Sequence, residues 1–209
     1  HPHPTRKTHM ITKIYAEAPT AAFRPLWGGA FRPTLPFITH SAAYGLLLNI
    51  AGIDMNKQQT LPTITLAVGA VLPMPALQHK LEQLHVYNNT SRMSKQIQER
   101  NKANNVLQKT DVRPVKSEFL TDLKTLLHVD AHPDFIQQLR DGLDGKLPRF
   151  GTPFAGENDC PFSIIEERPH HHAHWFQTFN PKTISPHTTY LNSTLQIDRS
   201  NSANTVTKI

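Results

Sequence analysis

Apolar residues along the chain fall into short blocks whose spacing alternates between strand-like and helix-like, separated by long polar or proline-rich stretches. Ile11, Ile14 and Tyr15 supply strand-favouring side chains and predict a first strand over Ile11 to Ala16. From Pro19 to Pro36 prolines and glycines break every period, so that stretch reads as irregular loop. Ala43, Leu46, Leu47 and Ile50 then recur at helical spacing, with Thr39 or Ser41 available as N-cap and Gly52 as the residue closing the C-terminus. Thr63 to Leu72 predicts a buried strand. Lys80 to Tyr87 predicts a second, although its pattern fits a helix equally well. Two further strands are expected in Arg113 to Leu120 and Leu123 to Val129. Pro133 sits where a helix begins, with Asp134 in the first turn, Phe135, Leu139 and Leu143 on one face, and Gly142 and Gly145 at its end. The glycine-rich stretch GKLPRFGTPFAGEN follows, then a strand at Pro161 to Glu166 and a Ser/Thr/Asn-rich tail with one strand at Thr188 to Ile197.

Strand, helix, strand, strand, helix, strand is the order of a ferredoxin-like α+β domain. Two helices would cover one face of an antiparallel sheet, leaving the other open to a ligand, as in RNA-recognition domains. Asn88 to Val112 interrupts that order. It is polar, and it carries Arg92, Lys95, Arg100, Lys102 and Lys109 against only Glu99 and Asp111. Too charged to bury, it reads as an insertion, either solvated or laid along a polyanion backbone.

The whole chain shares the basic bias. Its 209 residues hold 22 Lys and Arg against 16 Asp and Glu, a formal net charge of +6, which favours a polyanionic partner. A single cysteine, Cys160, rules out an intramolecular disulfide framework and fits a reducing, cytoplasmic setting. The longest apolar run, Ala42 to Ile53, is too short to span a bilayer. Residues 1–9, HPHPTRKTH, read as an extension ahead of Met10.

Candidate chemistry concentrates between Ala21 and Gly52. The guanidinium groups of Arg24 and Arg32 suit bidentate phosphate contacts or stacking on bases, and Trp27 and Phe31 offer flat rings. Packing of the loop onto the domain would require the same aromatics. His40 and Ser41 stand at a helix N-terminus, which favours anions, and Tyr44 shares a helical face with His40. Arg113 extends the basic insertion, and Arg149 beside Gly151 places charge where main chain can approach RNA closely. His170, His171, His172 and His174 resemble a metal cluster only in composition, since neighbours in an extended chain point to opposite sides. No metal, cofactor or catalytic residue is therefore assigned.

Several ordered motifs resemble one family. Phe23-Arg24, the stretch Phe31 to Phe37, Gly45 to Leu47, the run Glu82 to Tyr87, the Arg149 to Asn158 loop, the Trp175-Phe176 pair and the tail LQIDRSNSANTV are similar to the fifth CRISPR-associated family, Cas-five, in its myxobacterial-type or type I-B-like branch. The resemblance covers nearly all of Met10 to Val206. It implies a RAMP-superfamily member over residues 10–180 with a modified RRM-like core, the insertion 88–112 as a "thumb", a glycine-rich loop, and a C-terminal segment at 181–209. It implies a non-enzymatic, RNA-binding subunit of a type I Cascade ribonucleoprotein in antiviral defence. Its partners would be the 5′ handle of the crRNA, the Cascade backbone and large subunits and, indirectly, target DNA in RNA-guided targeting. Some branches process crRNA without metal through Tyr, His and Lys, for which His40, Tyr44 and His85 are available; a metal-dependent hydrolase or an RNA-binding protein of another ribonucleoprotein are the other classes.

Overall fold

The computed structural model describes residues 9–25, 31–54, 61–87, 110–149 and 151–176, with two short strands at 194–196 and 206–208. In chain order the elements are β1 (Met10–Ala21), β2 (Phe31–Arg32), α1 (His40–Ile50), β3 (Ile64–Ala70), β4 (Ala76–Tyr87), β5 (Thr110–Ala131), α2 (Pro133–Leu143), β6 (Ile164–Glu167), β7 (His174–Trp175), β8 (Thr194–Gln196) and β9 (Val206–Lys208). The fold is α+β. One sheet runs in the order β6-β1-β5-β3-β7, antiparallel at every step, and β8 pairs with β9 separately.

Both helices form for reasons written in their ends. Thr39 caps α1 by accepting from the Ala42 N–H at 3.1 Å, and Gly52, at φ 70°, closes the helix with Gly52 N–H to Asn49 O and Ile53 N–H to Leu48 O. Its apolar stripe, Ala43, Leu46, Leu47 and Ile50, is buried as the spacing predicts, and Leu48 joins it. His132 caps α2, Pro133 occupies its first turn, and Phe135, Ile136 and Leu139 are buried. Gly142 does not end α2 as expected but lies inside it, packed against the Ile50 carbonyl of α1.

The helices cover the sheet face formed by Ile14, Ala16 and Ala18 of β1, Leu66 and Val68 of β3, and Leu123, Leu127 and Val129 of β5, which share one buried cluster. Arg140 of α2 ties that layer to the sheet edge. Its guanidinium donates to both carboxylate oxygens of Glu167 in β6, which also accepts from the Thr12 hydroxyl.

Four expectations need correction. Regular structure persists through Pro19 to Ala21 and returns at Phe31–Arg32, where pairing with β5 outweighs local proline content. Arg113 to Leu120 and Leu123 to Val129 are one 22-residue strand, β5. The break at Asp122 is local: Asp122 adopts φ 58°, the register is kept from Ala18↔Leu123 to Thr20↔Thr121, and Leu120 and Ala21 beyond it are buried. Lys80 to Tyr87 is a strand as read, without the helical alternative, because β4 pairs with the first half of β5 from Ala76↔Thr121 to Tyr87↔Thr110. The insertion's end needs the third correction. Thr110 to Val112 thus belong to β5, and residues 88–109 of the insertion lie outside the described residues.

The fourth correction concerns the open face. After β6 the chain turns across the sheet, over β1 and β5, and ends as β7 on the far edge of β3. Arg168 lies 3.8 Å from the Tyr15 ring centroid, His171 meets the same ring edge-on at 5.4 Å, and Trp175 meets His128 at 6.0 Å. The histidine-rich stretch is therefore a strap on the face opposite the helices.

Arg140 is the first cause that lowers the Glu167 carboxyl below its ordinary 4.5. A depressed carboxylate contributes stability fully above its unfolded value, and that contribution is lost as pH falls through the folded one. The melting temperature should drop between about pH 5 and pH 3, and Glu167→Gln should lower it by about 2–5 °C at neutral pH while flattening that acid limb. Thermal melts across pH in both proteins check this.

Candidate nucleic-acid interface

Where β1 ends, the chain closes a loop on itself. The Phe23 N–H donates to Thr34 Oγ1 at 2.9 Å and the Leu35 N–H to the Phe23 carbonyl at 2.7 Å. Arg24 sits inside. Its Nε and Nη2 donate to the two carboxylate oxygens of Glu157 at 2.7 and 2.9 Å, and its Nη1 reaches the carbonyls of Arg32, Pro33 and Glu118 at 2.8, 3.0 and 2.9 Å. The Glu118 carboxylate in turn accepts from the Thr34 N–H at 3.1 Å. One guanidinium thus fastens three places far apart in sequence: residues 32–34, the middle of β5, and the glycine-rich loop.

The glycine-rich loop comes this close because Gly156 has no side chain. At φ 94°, a Cβ there would stand 2.0 Å from the Ala22 carbonyl oxygen. The Ala22 N–H donates to Ala155 O at 2.9 Å, and the Ala155 N–H to Cys160 O at 2.7 Å. Next to it, Lys80 of β4 pairs with Glu82 at 2.8 Å and Asp159 at 3.2 Å, while Ser117 donates to Glu82 at 2.7 Å. Lys80 lowers both carboxyls below their ordinary values, and the Glu82 contact is the first cause that raises the lysine.

Arg24, expected on a phosphate path, therefore directs its donors into the protein. What faces solvent is the strand it positions. Phe31 is 41% exposed with the Lys116 ammonium 5.9 Å from its ring, and Arg32 and Lys116 are both exposed, brought together by the Phe31↔Lys116 and Arg32↔Ser117 register. Arg113 stands further along the same ribbon, opposite Leu84. Trp27, Arg92, Lys95, Arg100, Lys102 and Lys109 lie outside the described residues.

The remaining candidates are not gathered here. His40 Nε2 is 2.7 Å from the Leu66 carbonyl, Tyr44 donates to Pro62 O at 2.9 Å, and Ser41 Oγ lies 3.2 Å from Thr39 Oγ1, all at the N-terminal end of α1 beside β3. Burial raises the Tyr44 hydroxyl. Arg149 donates to Gly142 O at 3.3 Å and the Gly151 carbonyl accepts from Asn49 at 3.2 Å, both at the helices' C-terminal ends. With 11 residues, α1 separates those two groups by about 16 Å.

Glu157, Glu118, Lys80 and Lys116 escaped the sequence reading. Glu157 stood within a quoted motif, but no local signal in the sequence joined it to Arg24. Among the described residues no group of three or more His, Cys, Asp or Glu side chains is arranged to hold a metal, and no helix is long and apolar enough to cross a membrane.

Arg24 and Glu157 are 22% and 24% exposed, so each leaves a largely desolvated charge behind if the other is removed. Arg24→Ala should cost about 2–4 kcal/mol, with a coupling of about 1–3 kcal/mol to Glu157→Ala in a double-mutant cycle read by urea unfolding. Arg24→Lys should recover less than half of the loss, because an ammonium cannot serve both carboxylate oxygens and three carbonyls from one plane.

Comparison with known proteins identifies this chain at the level of family. Residues 13–145 match the family model described as "CRISPR-associated protein (Cas_Cas5)". A chain of a solved "CRISPR RNA-guided surveillance complex" superposes with a TM-score of 0.46 at 11% identity, over 72% of this chain and 58% of that one, so this chain spans under two thirds of its length. No curated protein matches. With well over half of its residues under that family model, the chain belongs to the CRISPR-associated Cas5 family.

Proposed function

We propose that this chain is a non-catalytic subunit of a type I CRISPR effector of the Cascade kind, capping the 5′ handle of the crRNA and docking against the backbone and large subunits. The observation that carries the reading is the convergence on Arg24 of the Phe23-Arg24, Arg32 to Thr34 and Gly156-Glu157 motifs, which turns Phe31, Arg32 and Lys116 outward at one place. The antiparallel succession of β6, β1, β5 and β3, with two helices on one face, supports reading the domain as ferredoxin-like. Residues 10–180 would form this RAMP domain, with the β4–β5 ribbon as thumb and 181–209 as an appended segment.

On this reading the crRNA handle lies along the ribbon. Phe31 stacks on a base, Arg32 and Lys116 hold phosphates at the root, and Arg92, Lys95, Arg100, Lys102 and Lys109 follow the backbone outward. Trp27 joins Phe31, and Arg24 acts through the loop it fastens. His40 and Tyr44 each hold a backbone carbonyl, which supports a structural part for them rather than RNA cleavage.

Arg32→Ala and Lys116→Ala should each weaken handle binding and flatten its dependence on log salt by roughly 0.7 to 1 per lost phosphate contact. Phe31→Ala should cost about 1–3 kcal/mol of affinity at an unchanged melting temperature. Titrations at several salt concentrations read both. If the purified chain fails to co-assemble with crRNA and Cascade backbone subunits, the proposal fails.

A further inference from the structure

The strap over the sheet makes contacts of an unusual kind. Tyr15 of β1 and His128 of β5 lie on the face opposite the helices, in adjacent strands at diagonal positions, since Tyr15 pairs with Leu126 and Lys13 with His128. Each ring is already covered by a strap side chain, where an unpaired base would otherwise have access. The Arg168 guanidinium lies over Tyr15 with His171 at its edge, and Trp175 contacts His128. Lys13 Nζ donates to the His171 carbonyl at 3.3 Å, where a phosphate oxygen would serve as well. Lys124, opposite Glu17, adds a second cation on that face. Tyr15 is only 3% exposed under this cover, and burial, followed by its hydrogen bond to Glu17, holds its hydroxyl at about 12.

The cover is firmly tied at its ends and thinly in between. Arg168 N–H donates to Lys13 O at one end; Phe176 packs on Phe37 at 5.1 Å and donates to Val68 O at the other. From Pro169 to Ala173 the backbone-to-backbone bonding comes down to a turn within the strap, His171 N–H to Arg168 O at 3.3 Å. His170, His172 and His174 face solvent, and His171 and Ala173 between them are only half-buried. Few buried contacts and few backbone bonds mark a segment that opens locally at small cost.

We infer that Tyr15 and His128 form a base-stacking platform for single-stranded RNA that the 168–175 strap shuts, and that RNA gains this second surface when the strap lifts. Aromatic pairs on neighbouring central strands are the means by which sheet faces take unpaired bases. The inference stands apart from the handle reading, because none of Phe31, Arg32 or Lys116 belongs to this face.

Gly69 provides the test. A Cβ at Gly69 would stand 2.8 Å from both the Ala173 Cβ and the Trp175 ring, whereas valine suits the strand itself. Gly69→Val in the full chain should raise hydrogen exchange across 168–176 and tighten binding of a fluorescein-labelled oligouridylate roughly tenfold, about one stacked base. Adding Tyr15→Leu should abolish the gain, and adding Arg32→Ala should leave it. If Gly69→Val fails to fold, the pair Arg168→Ala with His171→Ala removes the same cover from the strap's side. A lifted strap without tighter binding, a gain that survives Tyr15→Leu, or a strap that stays protected in both variants would overturn the inference.

Discussion

A single guanidinium sets the geometry on which the outward surface depends. Arg24 serves a carboxylate through Nε and Nη2 and three carbonyls through Nη1, whose two N–H groups they share, a planar fork that only arginine offers. The pair is largely shielded from water, so neither member is stable there alone. Its value is positional. By fixing residues 32–34 against Glu118 and the glycine-rich loop, it lets a two-residue strand, β2, form where propensity alone would give a loop.

β5 extends this order through the molecule. Its C-terminal half is flanked by β1 and β3 under the helices, and its N-terminal half carries β4 and β2. One continuous strand thus joins the packed core to the ribbon, with the left-handed Asp122 between its two halves. Displacing the ribbon would strain the same strand that supports Leu123, Leu127 and Val129 in the core.

Local chemistry made the helices legible. Thr39, Gly52, Pro133 and Gly145 lie at or next to the ends of α1 and α2, because caps act within a few residues. Family membership was legible for a similar reason, as ordered motifs survive reading in one dimension. The Arg24–Glu157 pairing spans most of the chain, and nothing near Arg24 announces that its charge is matched internally. β5 read as two strands because a left-handed residue such as Asp122 usually ends a strand, and only pairing on both sides carries it through. The strap escaped for the opposite reason: four histidines in five residues suggest a ligand set, while the exposure of all but the half-buried His171 follows from where the chain must cross.

The sheet order also sets a timetable for synthesis. β1 opens the fold, yet both of its neighbours come late: Ile14 pairs with Leu127 of β5 and with Glu167 of β6. At roughly 5–20 residues per second, the ribosome needs on the order of ten seconds or more to deliver them. Through that interval β1 has unpaired edges and apolar side chains without their final partners, and closing so long a loop slows its capture. The N-terminal strand is therefore the last central strand to be enclosed, and a nascent chain stalled before β6 would present it to chaperones or to another copy of itself.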